Sequence, residues 1–233
     1  MLPLLYDPYI WILLIAMAIS GWASANVNST YNRYNKIPNH GGYTGKEAAR
    51  YILDSAGLQD VQIKEVGGHL TDNYNPTNKV LSLSQTVYDS KSIAAVGVAA
   101  HEAGHAVQDA TSYAPMRMRS ALVPIVNLGS NFSMPLILLG VVLGMNATLI
   151  KIGICLFALT LLFQVVTLPV EFNASHRALK MLQSGALLDS QEMPMARKVL
   201  FAAALTYVAA VLSSLLQLFR LILLFGGNNN QDN

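Results

Sequence analysis

Three residues in one short segment could hold a metal ion and activate a water molecule. His101, Glu102 and His105 form the one His-Glu-x-x-His pattern in the chain. On a helix this spacing places both imidazoles on one face, close enough to bind one Zn²⁺, with a carboxylate beside them that can act as a general base. Chance occurrence is the alternative, but the surrounding Ala-rich apolar run, residues 92–108, is typical of a buried helix. The pattern therefore predicts a zinc site suited to amide hydrolysis.

The composition indicates a membrane protein. Hydrophobic residues make up 53% of the chain and charged residues 12%, whereas about a quarter of the residues in a soluble domain are charged. The net charge of +2 and the absence of basic runs exclude a nucleic-acid-binding protein. Because Cys155 is the single cysteine, the zinc must take His and carboxylate ligands.

Four stretches are long and apolar enough to cross a bilayer, which takes about 20 helical residues. They lie at about residues 9–25, 121–145, 147–170 and 199–225. The first eight residues contain no Lys or Arg, which favours a retained anchor over a cleaved signal peptide. Basic residues near the span ends fall mainly in the two polar segments between spans, so we expect these segments to face the cytoplasm of a multi-pass cell-membrane protein. These basic residues are Arg33, Lys36, Arg117, Arg119, Arg177, Lys180, Arg197 and Lys198.

The spans divide the chain into six segments. We predict a transmembrane anchor at 1–25, a catalytic α+β domain with the HExxH helix at 26–120, transmembrane helices 2 and 3 at 121–170, a cytoplasmic segment at 171–198, transmembrane helix 4 at 199–225 and a polar tail at 226–233. The predicted fold class is an α+β membrane protein, mainly helical, with about four transmembrane helices and a small zinc-peptidase domain.

Local patterns within the polar domain predict a helix and two strands ahead of the metal-binding helix. Thr44 and Glu47 have the spacing of a capping box, which opens a helix that stops at Gly57. Alternating hydrophobicity predicts strands at 61–66 and 80–84. The second strand leads into the HExxH helix. It could be an edge strand that pairs with an extended peptide substrate, or it could simply cover the helix.

A catalytic zinc usually has three protein ligands, so the two histidines need a third. An extended metzincin motif is excluded, because it would require Gly and His where the chain has Gln108 and Thr111. Glu171 emerges at the end of the third span, on the expected side of the HExxH helix, and we predict it as the third ligand. The alternative is a carboxylate that marks the membrane interface. Less suitably placed candidates are Asp109, His69 and Glu192.

Seven segments distributed along the chain form a specific signature: residues 44–45, 57–58, 81–82, 92–94, 99–106, 168–175 and 203–210. On these segments the chain resembles the neutral zinc metallopeptidases of the YugP-like membrane type and, more distantly, the HtpX-like gluzincins. The resemblance extends over nearly the whole length and implies a gluzincin-like peptidase domain. It implies one Zn²⁺ per chain, held by His101, His105 and Glu171, with Glu102 as the general base.

Four further residues are candidates for supporting the site. Ser175 stands where gluzincins have the Asp of a Glu-x-x-x-Asp pattern, and its hydroxyl supports a ligand His more weakly than a carboxylate would. Asn73 stands where relatives have His in Asp-His-Tyr-Asp-Pro. Either a transition-state donor has been replaced there, or residues 72–76 form a turn, which we favour. Tyr74 and Arg177 are candidate oxyanion donors, although structural or lipid-facing roles are more common for such residues.

Together these patterns predict a zinc-dependent metalloendopeptidase that cleaves peptides or membrane-protein substrates near the surface of the lipid bilayer. The rival interpretations are a zinc-binding membrane scaffold or pseudoprotease that interacts with partner membrane proteins, and a metal transporter, which the lack of a charged midplane pathway disfavours. Polar residues inside the spans serve either helix packing, including contacts in a homo-oligomer, or a water-filled path to the zinc. These residues are Asn127, Asn131, Gln164, Ser213, Gln217 and Arg220.

Overall fold

The computed structural model describes residues 7–226. They form seven helices, one of them a single turn, and one small sheet. The elements in chain order are α1 Ile10–Tyr34, α2 Gly45–Ser55, β1 Gln62–Val66, β2 Asn73–Asn75, β3 Val80–Ser84, α3 Gln85–Tyr88, α4 Ile93–Ala110, α5 Ala114–Val142, α6 Ala147–Ser184 and α7 Met193–Phe225. The α+β membrane class is confirmed. Residues 1–6 of the predicted anchor and 227–233 of the predicted tail lie outside the described residues.

Four helices are long and apolar enough to cross a membrane, as the sequence predicts: α1, α5, α6 and α7. Each helix continues past its apolar stretch at one end, α1 and α6 at the C-terminal end and α5 and α7 at the N-terminal end. Helix α6 continues through Glu171 to Ser184, because buried Ala174, Ala178 and Leu182 recur every four residues and extend the helical pattern into the polar region. Most of the polar link expected at 171–198 is therefore helical, and only eight residues separate α6 from α7, from 185 to 192.

The chain divides into two compact units. The first comprises the described residues up to Ala23, Met118–Thr167, and the described residues from Thr206 onward. The second comprises Ser24–Arg117 and Leu168–Leu205.

Polar side chains in the first unit hydrogen-bond to one another between helices. The Ser213 hydroxyl donates to the carbonyl of Ala16 at 3.0 Å and lies 2.9 Å from the Ser20 hydroxyl. Arg220 forms an ion pair with Asp7, and both side chains are largely buried. Polar groups inside a membrane are costly unless they pair with one another. These contacts therefore support the helix-packing interpretation for Ser213 and Arg220.

The second unit contains the three-stranded sheet, in the order β1-β3-β2. Strand β3 pairs in parallel with β1 and antiparallel with β2. Both edges of β3 are therefore occupied, and the interpretation of this strand as an edge that binds substrate is wrong. The outer strands of the sheet are β1 and β2.

The capping box is confirmed at the start of α2. The Thr44 hydroxyl accepts the backbone N–H of Glu47 at 3.2 Å, and the Glu47 carboxylate accepts the N–H of Thr44 at 2.8 Å. The two predicted strands are also confirmed, as β1 and β3.

The segment at 72–76, which we expected to be a turn, contains strand β2. The carboxylate of the preceding Asp72 accepts the N–H of Ser84, at the end of β3, at 2.7 Å. The strand was missed because three residues are too few for an alternating pattern, and the pairing partner Val80–Ser84 supplies the backbone hydrogen bonds.

Helix α4 is the centre of the second unit's core. Ser92 begins it as the N-cap, accepting the backbone N–H of Ala95 at 3.0 Å. Small side chains fill its buried faces, so neighbouring elements approach closely. These side chains are Ala94, Ala95, Ala99, Ala100, Ala103 and Ala106.

Candidate metal centre and active site

Two helices of the second unit bring three potential metal ligands together. His101 and His105 lie one turn apart on α4, and Glu171 lies on α6. The Glu171 Oε2 atom is 3.3 Å from His101 Nε2 and 3.6 Å from His105 Nε2. The two imidazole rings stand nearly perpendicular, with centroids 4.7 Å apart. Both Nε2 atoms therefore point toward the same carboxylate oxygen.

The other nitrogen of each imidazole contacts a polar side chain of the protein. His101 Nδ1 is 3.1 Å from the Ser175 hydroxyl, and His105 Nδ1 is 3.0 Å from the side-chain oxygen of Gln108. Metal-bound histidines usually use their second nitrogen in this way, which fixes the ring orientation.

The donor set fits a zinc ion. One ligand atom from each of His101, His105 and Glu171 lies within 4.8 Å of the other two. Two imidazoles and one carboxylate are the protein ligands of a common class of catalytic zinc site, which keeps a further position for water or substrate.

Comparison with known proteins places the chain in a family. A family model described as "putative neutral zinc metallopeptidase" matches residues 9–226, nearly the whole chain. The chain belongs to this zinc metallopeptidase family. A relative from Bacillus subtilis (strain 168), described as "putative membrane protease YugP", is 45% identical over 217 residues, which cover 93% of this chain and 96% of the relative. The resemblance inferred from the sequence is thereby confirmed. No solved structure matches the chain at a significant level.

Glu102 is a buried carboxylate on the same helix as the two histidines. The residue is 8% exposed, and burial raises the pKa of its carboxyl group although the nearby His105 and His101 oppose the shift. For His105, burial by itself lowers the pKa, whereas the Glu171 and Glu102 carboxylates raise it, and the net direction is upward. The Glu171 carboxylate faces both imidazoles and is the anionic group that suits a bound cation.

The other three candidates from the sequence make hydrogen bonds outside the ligand set. Asn73 is exposed and donates to the carbonyl of Thr71 at 3.0 Å. The Tyr74 hydroxyl donates to the Asp109 carboxylate at 2.9 Å. Burial and this carboxylate raise the pKa of Tyr74, so the hydroxyl keeps its proton and continues to donate.

Arg177 contacts two residues outside the ligand set, Asn173 and Tyr113. Its Nε atom donates to the side-chain oxygen of Asn173 at 2.7 Å, and its guanidinium carbon lies 5.9 Å from the centroid of the Tyr113 ring. Of the four supporting candidates, the structure places only Ser175 within hydrogen-bond distance of a predicted ligand.

Sequence reasoning missed Gln108 and Asn173. Gln108 is fully buried and contacts both His105 and Asn173. One signal could have indicated it: a glutamine three residues after His105 lies on the same helix face as that histidine. Asn173 gave no comparable signal, because its contacts depend on how α4 packs against α6.

A second cluster of ligand types in the metallopeptidase chain consists of His40, Asp189 and Glu192. Its carboxylate oxygens already have donors. Asp189 accepts the backbone N–H groups of Gln191 and Glu192 and lies 2.6 Å from His40 Nδ1. Glu192 accepts the N–H groups of His40 and Asp189. These hydrogen bonds connect the loop before α2 to the turn before α7, which accounts for the cluster without a metal.

Proposed function

We propose that this chain is a membrane-embedded zinc metalloendopeptidase with one catalytic zinc site. The observation that supports the proposal best is the convergence of His101, His105 and Glu171 from two helices, with the buried Glu102 on the same helix as the histidines. Membership in a zinc metallopeptidase family supports the same reaction class.

The proposed mechanism divides the work among four residues. His101, His105 and Glu171 would hold the ion. When bound, Zn²⁺ supplies a Lewis acid that polarises the scissile carbonyl and lowers the pKa of a water molecule. Glu102 would accept the proton of the attacking water and deliver it to the leaving amine nitrogen as the C–N bond breaks.

We further propose that cleavage takes place at the cytoplasmic surface of the membrane, on loops or tails of membrane proteins. Glu171 directly follows the apolar stretch at 147–170, so the ligand lies at the end of a candidate span. Seven of the eight basic residues that predict the orientation belong to the second unit, the exception being Arg119. Basic residues of this kind accumulate on the cytoplasmic side.

Metal analysis and peptide cleavage by the purified full chain test the proposed activity. We expect one zinc per chain and cleavage of a quenched fluorescent peptide library that stops when the zinc is chelated. Glu102→Gln preserves the size of the side chain and removes the base. It should retain zinc and lower the cleavage rate by roughly 10²–10⁴-fold, the usual contribution of general-base catalysis.

Three results would contradict this proposal in whole or in part. A wild-type chain that holds zinc but cleaves no peptide would support the scaffold or pseudoprotease interpretation. Equal cleavage rates for wild type and Glu102→Gln would remove Glu102 from the mechanism. Zinc flux into liposomes that contain the protein, without cleavage, would support the transporter instead.

The orientation can be tested with single cysteines. In a Cys155→Ser background, Gln59→Cys places a thiol on an exposed position of the second unit, and Asn146→Cys places one on the exposed loop between α5 and α6. We expect a membrane-impermeant thiol reagent to label position 146 in intact cells and position 59 only after the cells are opened. The reverse pattern would show that the site faces outward.

A further inference from the structure

Gln108 uses both ends of its side-chain amide inside the core. Its side chain has no exposed surface, and its oxygen lies 3.0 Å from His105 Nδ1. Its nitrogen donates to the backbone carbonyl of Val170 at 2.8 Å and to the side-chain oxygen of Asn173 at 3.0 Å. A buried amide with all these partners is held in one position, since any rotation would leave polar atoms unsatisfied.

The orientation of this amide follows from its partners. A backbone carbonyl can only accept hydrogen bonds, so the end of Gln108 that faces Val170 must be the NH₂ group. The same reasoning applies to Asn173. Arg177 Nε can only donate, so Asn173 presents its oxygen to Arg177 and to Gln108. Arg177 and Val170 thus fix the direction of every hydrogen bond between them and His105.

A single tautomer of neutral His105 satisfies these partners. Because the Gln108 oxygen can only accept, His105 Nδ1 must carry the proton and donate it. The lone pair of a neutral imidazole is then on Nε2, the atom that faces Glu171 at 3.6 Å. We propose that Gln108 is a positioning residue that sets the tautomer and ring orientation of His105 for zinc binding, and that Asn173 and Arg177 hold Gln108 in place. This inference rests on the proposed zinc site.

His101 has no equivalent constraint. Its Nδ1 contacts the Ser175 hydroxyl, which can either donate or accept. This contact is therefore compatible with both neutral tautomers of His101. The protein therefore fixes the proton position on His105 far more strongly than on His101. Loss of the Gln108 side chain should weaken zinc binding more than loss of the Ser175 hydroxyl does.

Two substitutions of Gln108 separate positioning from mere packing. Gln108→Met keeps the length of the side chain and removes its hydrogen bonds. Gln108→Glu keeps an acceptor for His105 but loses the donors to Val170 and Asn173 and buries a charge, so it should be the less stable protein. We expect the opposite order for zinc, with the Glu variant binding more tightly than the Met variant.

The measurements are zinc affinity by chelator competition, the visible spectrum of the Co²⁺-substituted protein, and thermal unfolding, all on the purified full chain. Gln108→Met should bind zinc about 10–100-fold more weakly, as is usual when a group supporting a ligand is lost, and should show an altered Co²⁺ spectrum. The matched control Gln183→Met, at an exposed position on α6, should behave as wild type.

The result that overturns this inference alone is a wild type that binds zinc and cleaves peptides while Gln108→Met retains wild-type zinc affinity and Co²⁺ spectrum. The inference would also be overturned if Gln108→Glu both unfolded at a lower temperature and bound zinc more weakly than Gln108→Met, since zinc affinity would then reflect stability alone. Absence of zinc from wild type overturns the proposed function and this inference together.

Arg177→Met tests the same hydrogen bonds with Gln108 itself left in place. Arg177 contacts none of the three predicted ligands in the hydrogen bonds described, and acts through Asn173. Its substitution should weaken zinc binding less than Gln108→Met does. In the double variant the two effects should not add, because both residues act on His105 through the same hydrogen bonds. An Arg177→Met protein with unchanged zinc affinity would contradict the proposal.

Discussion

The carbonyl oxygen of Ala174 lies 2.7 Å from the position that a Cβ atom on Gly104 would occupy. Gly104 is the residue before the second histidine of the HExxH motif, and Ala174 follows Glu171 by three residues on α6. Helices α4 and α6 therefore approach each other closely at the site because residue 104 has no side chain. This approach brings the Glu171 carboxylate within reach of both imidazoles.

Gly104→Ala should separate these two helices. A real Cβ atom would be too close to a backbone oxygen, and backbone cannot move aside as a flexible side chain can. We expect a loss of about 1–3 kcal/mol in the free energy of unfolding, together with weaker zinc binding. Thermal unfolding and chelator competition measure both.

Gly97→Ala is the matched control on the same helix. There the nearest atom to an added Cβ is the Ala196 Cβ at 3.7 Å, an ordinary contact. This variant should be at least as stable as wild type, since Ala is favoured over Gly in a helix by about 1 kcal/mol. Equal stability and zinc affinity for the Gly97 and Gly104 variants would show that the close approach does not matter.

Glu171→Gln tests the third ligand. The substitution preserves the shape of the side chain and removes its charge. The predicted site therefore loses its anionic ligand, which lies between the two histidines. We expect zinc affinity to fall by more than the 10–100-fold typical of residues that merely support a ligand. Glu65→Gln, at an exposed position on β1, is the control. Full zinc occupancy in the Glu171 variant would show that another group is the third ligand.

The features that the sequence predicts correctly are those that depend on neighbouring residues. The four apolar helices, the Thr44 capping box and the spacing of His101 and His105 are all visible within a few turns of chain. Glu171 could be proposed as a ligand because it directly follows the third apolar span, on the expected side of the HExxH helix. Its proximity to the two histidines depends on helix packing, and only the structure gives it.

The features that the sequence did not predict depend on contacts between distant segments. Strand β2 exists because residues 73–75 pair with β3, and their own pattern is that of a turn. The Tyr74 hydroxyl donates to Asp109, 35 residues away, and no local pattern around either residue indicates this hydrogen bond. In the sequence Gln108 is only a departure from the metzincin motif, because its partners Val170 and Asn173 lie on a distant helix, α6.

Ser175→Ala should weaken zinc binding, whereas Ser175→Asp should not. The hydroxyl lies 3.1 Å from His101 Nδ1, and alanine removes this contact. A carboxylate at the same position would orient and polarise the imidazole more strongly. We expect the Ala variant to bind zinc up to about tenfold more weakly, and the Asp variant to bind it at least as tightly as wild type. Zinc competition measures both, with the exposed Ser184→Ala as control. Equal affinities for all variants would remove Ser175 from the site.

Tyr74→Phe should lower stability and leave catalysis nearly unchanged. It removes the hydrogen bond to the Asp109 carboxylate, which joins β2 to the end of α4. Hydrogen bonds to charged groups contribute about 1.5–3 kcal/mol, so the unfolding free energy should fall by about that amount. A transition-state donor would instead cost about 10²–10³-fold in kcat. A fall of that size in kcat, absent in the control Tyr51→Phe at an exposed position on α2, would restore Tyr74 as a donor.

The His40–Asp189 pair should make stability depend on pH near neutrality. Its hydrogen bond to Asp189 and the nearby Glu192 raise the pKa of His40 above the ordinary value of about 6.5. A group whose pKa is higher in the folded state stabilises the fold fully below its unfolded pKa and loses this contribution as the pH rises through the folded pKa. His40→Gln should therefore lower the unfolding temperature more at pH 6 than at pH 8.5. His176→Gln, an exposed histidine on α6, is the control. A difference between wild type and His40→Gln that grows with pH would show that the histidine contributes in its neutral form.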